Sequence, residues 1–309
     1  MKGIIREGGR ISNMGMINQI KKLDAQKSGL HIVTDEELAA IHRTLLDMLK
    51  DLIAVFQKYD IGWSLSGGSI IGAVRHQGFI PWDDDIDIFM TRANFEKLRR
   101  VFRKELNDRY KLRLPGDKGY LMHFPTIEKR GTKIRQVQSA DEEQGLFIDV
   151  FILENAPDNA LIRKLHGLVS TAYLAVDSFV RTNACKKNLL KYGKSDPALV
   201  RSVKLRCALS KLFLFRPMEK WMLRSDKWFS KCRNSRSEYV VCPSGGAHYF
   251  GEIFRRDCME PTVAVDFEGI KANIPCNSDY YLKKRYGSDY MTIPGEDKRE
   301  RHAYVELSL

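Results

Sequence analysis

The segment PWDDDIDIFM crowds four aspartates, Asp83, Asp84, Asp85 and Asp87, beside Trp82 and into an otherwise apolar run. Like charges at that spacing repel, and burying carboxylates without a counter-charge costs several kcal/mol. A chain that keeps them there needs something positive to meet them. In DIDIFM, acid and aliphatic residues alternate with period two, so Asp85 and Asp87 project from one face of an expected strand. A second apolar run, GLFIDVFILE, is interrupted by a single acid, Asp149. If the two strands are neighbours, Asp85, Asp87 and Asp149 converge. Hard oxygen ligands of that kind suit Mg²⁺ or Mn²⁺, completed by water and substrate phosphates.

Upstream, SLSGGSIIGAVRHQG reads as a short strand entering the turn Gly67-Gly68-Ser69, which opens a helix. Backbone N–H groups at such a helix start favour a phosphate. Each feature alone has a plainer reading, since G-G-S is a common turn and D-x-D a common solvated loop. Their order is what makes a pattern: helix, strand, glycine turn, helix, acidic strand, later acidic strand. A metal on one side and an amide cradle on the other is the logic of phosphoryl transfer.

The positioning elements can be read around these residues. TDEELAAIHRTLLDMLKDLIAVFQKYD starts with a capping box, Thr34 and Glu37, and carries Leu38, Ile41, Leu45, Met48, Leu49, Leu52 and Phe56 at helical spacing. RANFEKLRRVFRKEL is a second amphipathic helix, and YLMHFPTIEKRGTKI an expected hairpin turning at Arg130-Gly131. From about 160 to 235 the pattern is helical, and residues 240 to 276 read as short strands and turns. The expected fold class is therefore α/β (α+β). Residues 1–33 form a lead-in, 34–155 a mixed-sheet core, and 156–309 a mostly helical region whose final segment folds back on the core.

The composition bounds the alternatives. The formal charge is +12, and residues 181–236 hold 16 Lys/Arg against 3 Asp/Glu, a net of +13, which leaves the remainder near neutral. Such a block is either a solvated helical face or a surface for an anionic partner: membrane headgroups, acidic glycan or nucleic acid. Apolar stretches break well before the roughly 18 residues of a membrane span, and the opening residues lack a signal-peptide pattern. The six cysteines contain no C-x-x-C pair and are expected to be reduced; a zinc site from the last four is an alternative. The cytosol is the expected compartment.

SLSGGSIIGAVRHQGFIPWDDDIDIFM resembles the signature of the LicD phosphorylcholine-transferase family, a branch of the nucleotidyltransferase-fold proteins that includes the fukutin-related proteins. The resemblance continues through GLFIDVFIL, VDFEGIKANIP and YYLKKRYGSDYMTIPGEDKRERH, covering roughly residues 34–302. Ser69 and Ile70 stand where Thr and Leu are expected more often. The resemblance implies a nucleotidyltransferase-type core and a metal-dependent transferase. Such an enzyme moves a phospho-alcohol, typically phosphocholine, from a CDP-alcohol donor to a hydroxyl of a cell-surface glycan such as lipopolysaccharide, teichoic acid or capsule, releasing CMP. On this reading Asp85 and Asp87 hold Mg²⁺ or Mn²⁺, with Asp83 assisting. Asp149 is a third ligand or the base for the acceptor hydroxyl, and Gly67, Gly68 and Ser69 position the donor diphosphate.

Further candidates surround that set. Arg75 and His76 would reach the diphosphate or pair with the acids. Lys129, Arg130 and Lys133 would neutralise the leaving CMP or simply be solvated. Trp82 would pack the fold or stack on cytosine, and His302 would approach from the tail. A choline cage could draw on Tyr120, Phe124, Tyr249, Phe250, Tyr280 or Tyr281. The glycan acceptor would be free or lipid-linked, with residues 181–236 touching an anionic membrane at its inner face; no specific nucleic acid is expected. The competing readings are a nucleotidyltransferase moving an NMP from an NTP, a D-x-D sugar-nucleotide glycosyltransferase, and a non-enzymatic basic scaffold for anionic polymers.

Overall fold

The computed structural model describes residues 28–137, 144–296, 299 and 303–309. The helix anticipated from Thr34 is α1, Asp35–Lys58, and its capping box is complete: Thr34 Oγ1 accepts from the Glu37 N–H and Glu37 accepts from the Thr34 N–H. Its apolar stripe, Leu38 to Phe56, is buried on the central sheet. The chain is already engaged before residue 34. Strand β1, His31–Ile32, pairs with β12, Ala303–Ser308, near the C-terminus.

The central sheet is mixed, with the order β2 (Ser64–Leu65), β3 (Asp87–Thr91), β7 (Phe147–Ala156), β5 (Thr126–Lys129), β4 (Tyr110–Arg113). Only β3 and β7 run parallel; β2, β5 and β4 are antiparallel to their neighbours. The far end of β7 also pairs with β8 (Tyr239–Val241), which pairs with β9 (Ile253–Arg255). Ile88, Met90, Ile148, Val150 and Ile152 are buried in the main core with α1 and with α3, Arg92–Glu105. Their alternates, Asp87 with Phe89 and Asp149 with Phe151, face the other side, as period two requires. The fold is thus α/β with a mixed sheet, in agreement with the sequence.

The glycine turn opens α2, Gly67–Ile71, which continues as a π-turn over Gly72–His76 and stops at Gln77 in the left-handed region, φ 55°. The expected hairpin around Arg130-Gly131 does not form. The chain does turn there, with Gly131 at φ +82°, but β5 stays between β7 and β4 while β6, Lys133–Gln136, pairs with β12. Helices α4 (Ala160–Ala184), α5 (Lys186–Tyr192), α6 (Pro197–Ser210) and α7 (Met218–Phe229) make the helical region, with a small core around Leu189, Leu199 and Val203. Residues after it return to the sheet: α8 (His248–Gly251) and α9 (Arg256–Met259) flank β9, β10 (Thr262–Phe267) and β11 (Ile270–Pro275) form a two-stranded ribbon, and α10 (Ser278–Tyr286) lies against α2. Among the described residues no helix is long and apolar enough to cross a membrane.

Candidate active site

The two acidic strands are neighbours. β3 and β7 run parallel with Asp87 opposite Asp149 in the register, and the Asp149 N–H donates to the Ile86 carbonyl at 3.1 Å. Adjacent strands lie about 4.8 Å apart, so the two carboxylates rise side by side from one face. Both are half-buried. Asp85 precedes the strand rather than starting it, but the alternating burial of residues 85–88 keeps it on the face of Asp87. Asp83, Asp84 and Asp85 offer ligand oxygens within 4.8 Å of one another, the one such group of potential metal ligands among the described residues.

The glycine turn is pressed onto the acids. Gly67 has φ +53°, and a Cβ built there would lie 2.7 Å from Asp87 Oδ2; one on Gly68 would lie 3.0 Å from Asp83 Oδ2. Only a residue without a side chain leaves that space open. The Ser69 hydroxyl accepts from the Asp87 N–H at 3.0 Å, and the Ser66 N–H donates to the Asp87 carbonyl at 2.8 Å. Ser69 therefore fastens turn to strand. The Gly67 N–H is likewise committed, donating to the Tyr281 hydroxyl at 3.1 Å. The turn makes room by what it lacks, more than by the amide of Gly67.

Residues distant in sequence complete the surround. His42 on α1 donates to the Asp83 carbonyl at 2.6 Å while its ring stacks on Phe79 at 4.1 Å. Tyr304 on β12 donates to Asp84 Oδ2 at 2.6 Å. Glu268, at the β10–β11 turn, accepts from the Phe79 N–H at 3.0 Å and so holds the approach to the acidic run. On α10, Tyr281 is buried against Phe89, and Arg285 pairs with buried Glu252 at 3.0 Å. Tyr286 is 40 % exposed as a residue, but its hydroxyl lies 3.6 Å from the position of a Gly67 Cβ. Burial of that end, together with the charges of Asp87, Glu252 and Asp83, pushes its phenol well above its ordinary range. It stays a neutral donor beside the acids.

The remaining candidates fall elsewhere. Arg75 donates to the carbonyls of Tyr290 at 2.9 Å and Thr292 at 3.2 Å, and to the His76 ring at 2.9 Å, which makes it an anchor for the C-terminal segment. Burial, then the Arg75 charge, lowers the His76 pKa. Trp82 is half-buried, edge-on to His76, with the guanidiniums of Arg75 and Arg299 at 5.9 and 4.5 Å from its ring. Lys129 lies over the Tyr110 ring at 5.6 Å, Arg130 donates to the carbonyls of Asn107 and Tyr110, and Lys133 pairs with Glu306 at 3.0 Å. These three cations are tied to the periphery. His302 lies outside the described residues. Tyr120, Tyr249 and Tyr281 are fully buried, so they offer no ring face for a cation cage. All six cysteines are free thiols.

Residues 60–160 match the family model described as LicD/FKTN/FKRP, nucleotidyltransferase domain. Lipopolysaccharide cholinephosphotransferase LicD of Haemophilus influenzae is 27% identical over 272 residues, covering 85% of this chain and 95% of that protein. An uncharacterised protein of Rickettsia prowazekii is 44% identical over 58 residues, covering 19% of this chain and 22% of its own. The glycine turn, the acidic run and Asp149 all fall inside the matched domain, whereas His42, α10 and Tyr304 lie beyond it. Residues 60–160 thus carry a LicD-type domain, and the similarity to LicD extends over most of the chain.

Proposed function

We propose that this chain is a metal-dependent transferase of the LicD type. It moves a phospho-alcohol, phosphocholine foremost, from a CDP-alcohol to a glycan hydroxyl and releases CMP. One observation supports this above the rest: Asp87 and Asp149 stand in register on parallel strands, with Gly67 too close to Asp87 for any side chain to intervene. Crowded carboxylates fit Mg²⁺ or Mn²⁺ on chemical grounds, because an all-oxygen anionic set is what these ions take. Asp85, Asp87 and Asp149 would hold the ion, with Asp83 beside Gly68 assisting. When bound it would offset the charge of the donor diphosphate and of the departing CMP.

The chain's own groups do the rest. The turn at Gly67 and Gly68 leaves a floor on which a diphosphate can approach the acids. Ser69, Tyr281 and His42 fix the backbone on either side, so the carboxylates are positioned before the donor arrives. Asp149, in register with Thr126 of β5, would accept the proton of the attacking hydroxyl or complete the ion's coordination. The relative named for lipopolysaccharide makes a cell-surface glycan the acceptor class of choice.

The test is incubation with Mg²⁺ and a panel of CDP-choline, CDP-ribitol, CDP-glycerol and CTP, with cell-envelope glycan as acceptor. CMP release from one CDP-alcohol that rises with acceptor supports the proposal. Pyrophosphate from CTP would make the chain a nucleotidyltransferase instead, and no turnover of any donor would remove the enzymatic reading.

A further inference from the structure

We propose that α4 and the segment after α6 form a docking face that lies on an anionic lipid bilayer. On the first half of α4, Leu161, Ile162, Leu165 and Leu168 follow one another at helical spacing and are exposed, Leu161 by 77% and Leu165 by 60%. A helix of a soluble protein turns such a stripe inward. Here α4 turns His166, Ser170, Leu174 and Asp177 inward instead. On α6, Leu205 and Leu209 are exposed and lead into Leu212, Leu214 and Phe215, with Leu212 at 68% and Phe215 at 73%.

The second half of α4 packs on α6 and the segment after it. Phe179 of α4 stacks on Phe213 with ring centroids 6.2 Å apart, and Arg206 of α6 donates to Ser178 of α4 at 2.6 Å. Two exposed apolar groups on helices packed together mark a contact with something else.

The charge around it says what. Thirteen of the sixteen Lys/Arg in residues 181–236 are exposed, among them Lys204 and Lys211 within the band. Arg216 lies over the rings of Phe215 and Trp221 at 5.8 and 5.1 Å, so a cation sits at the rim of the most exposed aromatic. Leucines to bury and cations to neutralise are together the two needs met at the boundary of anionic headgroups and acyl chains. A second copy of this chain would satisfy the leucines only by facing one basic surface with another. The face extends the proposed function, since an acceptor glycan carried on lipid would be met at that surface, yet it uses none of the acids.

Co-sedimentation of the full chain with vesicles tests the face. Phosphatidylcholine vesicles and vesicles containing phosphatidylglycerol are compared, at low and high salt. Two variants are measured alongside the wild type, Leu165→Ser with Leu168→Ser, and Leu212→Ser with Leu214→Ser. The expected result is binding to the anionic vesicles, weakened but not abolished by salt, and about ten-fold weaker in each variant. Undiminished binding in both variants would overturn the proposal. So would a dimer without lipid that the substitutions dissociate. Turnover of CDP-choline with a detergent-soluble acceptor is followed in parallel. Vesicle binding without turnover in the wild type would count against the transferase reading alone, and turnover without binding against the docking face alone.

Discussion

Gly67→Ala separates a site that needs the close approach of turn and acid from an ordinary turn. The backbone there has φ +53°, which costs an L side chain about 1–2 kcal/mol. In a chain of this length that lowers Tm by about 2–3 °C. The added Cβ would also stand 2.7 Å from Asp87 Oδ2, where ordinary contact begins near 3.4 Å. Asp87 cannot retreat as a whole. Its N–H is bonded to Ser69 and its main chain is held in the ladder between β2 and β7. Its carboxylate must rotate or the α2 turn must lift, and a misplacement approaching 1 Å costs a positioned reaction about 10²-fold.

Gly131→Ala supplies the control. That residue has φ +82° and nothing within 4 Å of a built Cβ. It bears the same kind of backbone strain without touching the acids. Melting temperature and CMP release are measured on both variants. The expected outcome is a similar small loss of Tm in each, with a loss of turnover of about 10²-fold in Gly67→Ala alone. Equal activities in the two variants would refute the reasoning.

Two further outcomes follow from the geometry. Tyr281→Phe removes the acceptor of the Gly67 N–H and should cost about 1–3 kcal/mol, with kcat falling more than KM rises; an unchanged Tm and kcat would show that this bond positions nothing. Burial lowers the pKa of His166, whose ring nitrogens face the Tyr249 hydroxyl and the Trp228 carbonyl at 3.0 Å each. The unfolded chain therefore binds this proton first as pH falls below 6.5, and the stability His166 contributes is present above that value and lost below it. Burial raises Glu154 and Glu252, which act in the opposite sense. The readout is accordingly the Tm difference between wild type and His166→Gln, which should shrink from pH 7.5 to about pH 5.5; a constant difference would contradict the assignment.

Much of this site was readable in the sequence because its signals are local. The alternation in DIDIFM and the lone acid in GLFIDVFILE give strand and face, and the apolar runs around them leave no place for those strands but the middle of a sheet. The glycine pair marked the turn, although its use differs: Gly67 yields space to Asp87, and its own N–H goes to Tyr281. What could not be read is what arrives from afar. His42, Tyr281, Tyr286 and Tyr304 carry no local pattern that sets them apart from packing residues, and the last three join the site from more than 190 residues beyond the acidic run.

The failed hairpin has the same origin. The Arg130-Gly131 turn is a local signal, but the partner of β6 is β12, close to the C-terminus, and long-range pairing decided the outcome. The same long-range pairing sets the partner of Lys133, which meets Glu306 of β12. The exposed leucines of α4 carried a helical stripe like that of α1. Only the fold shows that one faces the core and the other faces out.

The central claim is that carboxylates from two separate strands hold one divalent ion for a diphosphate. Mn²⁺ binding measured by electron paramagnetic resonance, with and without CDP-choline, tests it in wild type, Asp87→Asn and Asp149→Asn. The account predicts a site in the wild type that tightens with the nucleotide and weakens about ten-fold or more in each variant, while both variants stay folded. Wild-type affinity in both Asn variants would contradict it.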